Sequence, residues 1–256
     1  MILAVFNPKG GVGKTTTAVN VATELADAGR SVVLVDLEAD LNASISLGVR
    51  PGDADPSIHD LLLDHRRPPD VVRTIAGIRN LHLITGSPAL ADIDHALRHA
   101  RQPERRVADV LGPIAARFDV VVIDAPAGYG TLTQGVTTAA DHLVVPIRTE
   151  YLALESLAHF LRWYRDRSSA RKGLASLSGI LLTMVDYRRQ ATREIVDIIR
   201  AHNRRGVLRT EIPFDPRVSE APSHGIPLVH YSSSKSSRAY AALTQEIMQR
   251  LAHRAR

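Results

Sequence analysis

Residues Gly10–Thr16 read Gly-Gly-Val-Gly-Lys-Thr-Thr and follow directly on Lys9. This composition suits one task, the cradling of phosphates. Glycines let backbone N–H groups close around phosphate oxygens, and a helix beginning at such a loop adds the positive end of its dipole. Lys14 is placed to reach β- and γ-phosphates, and the Thr15 hydroxyl suits Mg²⁺. The general spacing G-x-x-x-x-G-K-[ST] would require glycine at position 8, where Pro8 stands, so the chain carries the variant K-G-G-x-G-K-[ST]. That variant has a lysine at each end, with Lys9 on the far side of the phosphates from Lys14. A plain glycine turn before a helix is the alternative, and the strand–loop–helix context argues against it.

The elements around this loop are legible from hydrophobic patterning. Ile2–Asn7, Ser31–Asp36, Leu81–Thr85, Asp119–Asp124, His142–Ile147, Ser178–Met184 and Val207–Ile212 read as strands. They are short and mostly apolar on both faces, as a parallel sheet covered by helices on both sides requires. Helical patterns near 15–28, 104–117, 152–167, 190–203 and 238–254 alternate with them. In the first, Ala18, Val21, Ala22 and Leu25 recur at helical spacing. The alternation predicts an α/β fold, one doubly wound, mostly parallel sheet forming a single domain over residues 1–256. The Ser232–Ser237 run reads as a mobile loop, and Asp64–Asp70, with Arg66, Arg67, Pro68 and Pro69, as a surface connection.

Composition narrows the chemistry. The 256 residues are 45% hydrophobic and 23% charged, ordinary values that argue against disorder. No cysteine is present, which excludes disulfides, thiol nucleophiles and cysteine-held zinc or iron–sulfur centres. No apolar run is long enough to span a membrane, and no signal peptide is evident, so the expected location is cytoplasmic. The formal charge is +5, but residues 1–128 hold 13 basic and 16 acidic side chains and residues 129–256 hold 19 and 11. A basic second half suggests a polyanionic partner.

Several motifs in order resemble the ParA/MinD superfamily of P-loop ATPases, and its ParA/Soj branch in particular. Asn7-Pro8-Lys9 through Asn20 is similar to that family's N-x-K-G-G-V-G-K-T-T-T-A-x-N opening. Phe118–Asp124 with Ala125-Pro126-Ala127 resembles its hydrophobic strand followed by D-x-P. Val144–Ile147 with Glu150–Glu155, then Gly179–Asp186, and Ile212-Pro213 with Arg217 and Glu220–Ser223 continue the series. The resemblance implies ATP and Mg²⁺ as cofactors. Lys9, Gly10, Gly11, Val12, Gly13, Lys14, Thr15 and Thr16 would hold the phosphates, with Pro213 and Phe214 against the adenine. Asp124 would join Thr15 at the metal, bound through water. It further implies a homodimer closed on ATP, in which Lys9 reaches the partner subunit's phosphates much as an arginine finger does. Arg188 and Arg217 fall where the family binds double-stranded DNA without sequence preference, with Arg189 and Lys235 as neighbours by charge. A ParB-like protein or cargo adaptor would stimulate slow hydrolysis and reset a nucleoid-associated partition or positioning cycle.

One segment departs from the pattern. The family's D-L-D-P-Q-G-N reads Asp36-Leu37-Glu38-Ala39-Asp40-Leu41-Asn42 here. Glu38 replaces the aspartate that orients the attacking water, and a displacement of about 1 Å can cost on the order of 10²-fold in rate. Glu38 is taken as the catalytic carboxylate with Lys9 and Lys14; transfer of the role to Asp40, or binding with little hydrolysis, remain alternatives.

Other signals carry less. His95 and His99 share a helical face with Asp92 nearby, but Arg98 and Arg101 oppose a cation, and a solvated face is the expectation. Leu243, Ile247 and Leu251 form a narrow aliphatic stripe near the C-terminal basic residues Arg250, Arg254 and Arg256. A MinD-like membrane-associated ATPase would use such a helix, yet core packing explains the stripe better. A small-molecule synthetase of the dethiobiotin type would need a substrate pocket that the sequence does not reveal. Aromatic residues are 4% of the chain, which argues against base-stacking recognition; phosphate contacts by arginine need none.

Overall fold

The computed structural model describes residues 1–64, 66–98, 102–170, 173–204 and 206–254. Its strands are β1 (Ile2–Val5), β2 (Val32–Asp36), β3 (Arg73–Thr74), β4 (Leu81–Ile84), β5 (Val120–Asp124), β6 (His142–Arg148), β7 (Ser176–Val185) and β8 (Val207–Pro213). They form one eight-stranded sheet in the order β3-β4-β2-β5-β1-β6-β7-β8. Only β3 runs antiparallel to its neighbour. All seven expected strands are present, and the fold class is as expected. β3 was not anticipated, since two residues carry no periodicity to read.

Strand alternation explains the apolar runs. Ile2, Ala4 and Phe6 face one core with Val33, Val35 and Ile123, while Leu3 and Val5 face the other with Leu34 and Val122. Helices Arg106–Ala115, Thr131–Ala139, Ala153–Ala170 and Gln190–His202 cover the first face; Lys14–Asp27 and Lys235–Arg254 cover the second. The helix Thr131–Ala139 escaped the sequence reading because threonines and Gly135 weaken its propensity. Its packing decides instead. The Asp94 carboxylate accepts the Leu132 N–H at 2.7 Å, and a Cβ on Gly135 would lie 2.7 Å from Val107 Cγ2.

The serine run requires a correction. Ser232–Ser237 is not a loose loop: Ser234, Ser236 and Ser237 are buried, and the last helix begins at Lys235. Ser234 Oγ accepts the Ser237 N–H at 3.1 Å, the geometry of a helix N-cap, and the Ser236 hydroxyl donates to the Pro213 carbonyl at 2.9 Å. Low complexity masked a cap. Asp64 and Arg66–Arg67 are exposed, as a surface connection should be. Leu243, Ile247 and Leu251 are all buried in the second core, as expected.

Parallel strands place their C-terminal ends together. Asp36 and Asp124 lie directly opposite one another across β2 and β5, and the loops after β1, β6, β7 and β8 emerge on the same edge.

Candidate nucleotide site

The phosphate loop follows β1. Gly11 (φ 70°) and Gly13 (φ 87°) occupy the left-handed region, which glycine adopts without steric cost. Gly13 then opens the helix Lys14–Asp27, so the free N–H groups of its first turn face the loop. The Val12 side chain is buried, and its carbonyl accepts the Thr183 hydroxyl at 2.9 Å, which ties the loop to β7. Gly10, Gly11, Lys14, Thr15, Thr16 and Glu38 border a cleft of about 530 Å³.

Lys14 is 6% exposed, with its Nζ 3.6 Å from Glu38 Oε1 and 3.4 Å from the Lys9 carbonyl oxygen. Three carboxylates surround it. Burial raises the Asp36 carboxyl above its ordinary value, although hydrogen bonds from Ser44, Glu38 and Ala43 oppose the shift. Burial also raises Glu38, against the pull of Lys14. Asp124 is raised well above its ordinary value, first by burial and then by the negative charge of Asp36, and the Thr15 hydroxyl lies beside it. Neither Asp124 oxygen takes a hydrogen bond of good geometry, although both are fully buried. An orphaned buried carboxylate beside a threonine hydroxyl and opposite a second carboxylate fits a divalent cation of the Mg²⁺ type. Asp36 was not singled out in the sequence, but a signal existed: β2 and β5 both end an apolar run on aspartate.

Lys9 lies at the other end of the loop. Its Nζ forms an ion pair with Glu150 Oε1 at 2.6 Å, and Arg148 approaches the same carboxylate at 3.2 Å. The Lys9 hydrogen bond, outweighing the effect of burial, helps hold the Glu150 carboxyl below its ordinary value. No pattern in the sequence marks Glu150, 141 positions away, as the partner of Lys9. Asp40, the alternative to Glu38, is exposed at the cleft border.

Beside the phosphate loop is an apolar pocket of about 140 Å³ lined by Met184, Ile212, Pro213, Phe214 and Tyr240. Its size and lining suit a planar base. Pro213 and Phe214 both line it, and Phe214 is 57% exposed. Met184, Thr183 and Tyr240 are additions that sequence patterning could not separate from ordinary core residues.

The expected DNA-binding residues do not contact this cleft. Arg188 and Arg189 follow β7, and Arg217 follows β8. The Arg188 guanidinium grips Asp186 through two hydrogen bonds of 2.8 and 2.9 Å. Arg189 lies 3.8 Å from the same carboxylate, and Arg217 lies 3.6 Å from Asp215 while donating to Ser232 Oγ at 3.1 Å. Lys235 is exposed on the first turn of the last helix. His95 is exposed, whereas His99, Arg101 and Arg256 lie outside the described residues; among those described, no cluster of metal-binding side chains stands apart. No described helix is long and apolar enough to cross a membrane.

Comparison with known proteins agrees with this geometry. Residues 1–172 match a family model described as an AAA domain. The chromosome partitioning protein ParA of Myxococcus xanthus is 35% identical over 250 residues, covering 97% of this chain and 88% of that one. The sporulation initiation inhibitor protein Soj of Bacillus subtilis is 34% identical, covering 96% and 97%. Among solved structures, cobyrinic acid a,c-diamide synthase from Mycobacterium smegmatis, crystallised with ADP and magnesium, superposes with a TM-score of 0.84 at 29% identity, covering 98% and 95%. A two-lysine phosphate loop, paired strand-end aspartates and likeness to ParA and Soj along almost the whole chain place this protein in the ParA/Soj branch of the ParA/MinD superfamily of P-loop ATPases.

Proposed function

We propose that the chain is a partition or positioning ATPase whose bound nucleotide governs a homodimer and its hold on DNA. The observation that carries this reading is the loop with a lysine at each end: Lys14 is buried toward the carboxylates, while Lys9 is one third exposed and held only by side chains at the rim. Lys14 neutralises phosphate charge within its own cleft. Lys9 can leave Glu150 and reach outward, to the phosphates of a second copy.

ATP would place its base between Met184 and Phe214 and its phosphates on the N–H groups of Gly10–Thr16. Thr15 and Asp124 would hold Mg²⁺, which supplies charge neutralisation at the phosphate oxygens. Glu38 directs the attacking water from the cleft rim, and its side chain, longer than aspartate by one methylene, makes hydrolysis slow. In the closed dimer, Arg188, Arg189, Arg217 and Lys235 supply a composite basic face that contacts DNA phosphates and leaves bases unread. A ParB-like protein or cargo adaptor accelerates hydrolysis and reopens the dimer. Leu243, Ile247 and Leu251 are committed to the core, which removes the stripe a membrane-bound reading needs.

The test is the oligomeric state by light scattering with Mg²⁺ and ATP, ADP or no nucleotide. A dimer should form with ATP alone, and Lys9→Ala should abolish it while ATP binding persists. A dimer indifferent to nucleotide, or to Lys9, would refute the reading.

A further inference from the structure

The loop that carries Glu38 is fastened at both ends by one buried carboxylate. Asp36 Oδ1 accepts the Glu38 backbone N–H at 3.1 Å. Asp36 Oδ2 accepts the Ser44 backbone N–H at 2.9 Å and the Ser44 hydroxyl at 2.7 Å. The Ser44 oxygen in turn accepts the backbone N–H of Gly86, just past β4, at 3.2 Å. A single hydroxyl therefore donates to the end of β2 and accepts from the end of β4, a dual role that a serine or threonine hydroxyl fills within this buried space.

Space reinforces this clasp. A Cβ on Gly86 would lie 2.5 Å from the Glu38 carbonyl oxygen and 3.1 Å from Asp36 Cγ, so the bare backbone is what lets β4 close over the loop. Within the loop, the Leu41 N–H also donates to the Glu38 carbonyl at 3.3 Å and the Leu37 N–H to the Asp124 carbonyl at 3.1 Å. Ala39 stands where the family pattern has proline, and so φ there is not fixed by a ring. Leu41 stands where that pattern has glycine, yet it takes the left-handed conformation (φ 54°) with its side chain buried. The Leu41 carbonyl accepts the Ile45 N–H at 2.8 Å, so this unfavourable turn feeds straight into the helical turn that holds Ser44. Ser44 is wholly buried and does not border the cleft.

We propose that Ser44 is a positioning residue for hydrolysis: through Asp36 and Gly86 its hydroxyl fixes the backbone from which Glu38 reaches over the phosphates. The inference rests on the reading that Glu38 directs the attacking water. Without the hydroxyl, Asp36 loses one of its donors and the Gly86 N–H loses its acceptor, which loosens the Glu38 backbone while backbone N–H groups still hold Asp36 and the phosphate loop stays intact.

The experiment measures steady-state ATP hydrolysis and Mg²⁺–ATP affinity of the full chain carrying Ser44→Ala, Ser44→Thr or Glu38→Gln. Glu38→Gln should slow turnover by about 100-fold, and Ser44→Ala by about 10-fold in kcat, with KM and Kd for ATP changed less than about twofold. Ser44→Thr, which keeps the bridging oxygen, should restore the rate to within about twofold. Retained ATP affinity shows that the cleft is folded. Full turnover in Ser44→Ala, equal loss of rate and affinity, or failure of threonine to rescue would overturn the inference. If Ser44→Ala is fast while Glu38→Gln is slow, the positioning role alone fails; if both are fast, the role of Glu38 fails with it.

Discussion

At the ends of β2 and β5, Asp36 and Asp124 are wholly buried beside a Lys14 that is 6% exposed. At the ends of β7 and β8, Arg188 and Arg217 are 82% and 51% exposed, each with an aspartate two positions before it. Both regions lie on one edge of one sheet, yet their charges obey different physics. In the cleft, low polarizability strengthens every interaction, and Asp124 has no good partner, so the site is completed by a cation and phosphates. On the arginine side, water and salt screen the exposed guanidiniums, and the neighbouring carboxylates satisfy them at little energetic gain. The cleft thus depends on its ligands, whereas in the proposed function the arginine side would exchange a local carboxylate for a DNA phosphate at small cost.

The largest expected effect lies in the cleft. Lys14→Ala removes a buried cation at the cleft and should weaken Mg²⁺–ATP binding by at least about 100-fold in calorimetric titration. Binding close to that of the unsubstituted chain would show that the glycine loop suffices.

Asp124→Asn should separate stability from function. Because burial raises the Asp124 carboxyl above its ordinary 3.8, its neutral form is favoured in the folded chain. Its contribution to stability is therefore fully present below about pH 4 and is lost as pH rises through the raised value. At pH 7, without nucleotide, the variant should melt roughly 2–8 °C higher than the unsubstituted chain, with the gap closing toward pH 4. It should also lose the dependence of ATP binding on Mg²⁺. A variant that melts lower at every pH would mean that the ionised carboxylate has a partner.

A smaller effect concerns the rim. Glu150→Gln weakens the cis ion pair that holds Lys9, and so should favour the ATP-bound dimer by about threefold to tenfold in dissociation constant. An unchanged constant would show that the ion pair does not restrain Lys9. The smallest effect belongs to the half-buried carboxylates that hold the exposed guanidiniums. Asp186→Asn and Asp215→Asn should each tighten DNA binding only about twofold to fivefold, and less at high salt. A change as large as that of Lys14→Ala would place these aspartates in a desolvated site and erase the contrast.

The two regions were also unequally legible. The phosphate loop is written in consecutive residues, Lys9 through Thr16, so both spacing and chemistry could be read directly. The seven principal strands were readable because most are buried on both faces, which turns the pattern into short apolar runs. What escaped was set by distant contact. Glu150 meets Lys9 across 141 positions, and the helix Thr131–Ala139 is capped by Asp94 from another element. The serine run was misread because its composition resembles a linker, while the buried N-cap of Ser234 appears only once the last helix has docked. The arginines could be named from the family pattern, but nothing in the sequence shows that Asp186 and Asp215 hold them.

The most direct test of the account is DNA binding, measured with Mg²⁺–ATP and with Mg²⁺–ADP over a series of salt concentrations. The account predicts sequence-independent binding with ATP, a steep loss as salt rises, little binding with ADP, and loss on Arg217→Ala while ATP affinity is kept. Equal binding with both nucleotides, or binding untouched by Arg217→Ala, would contradict it.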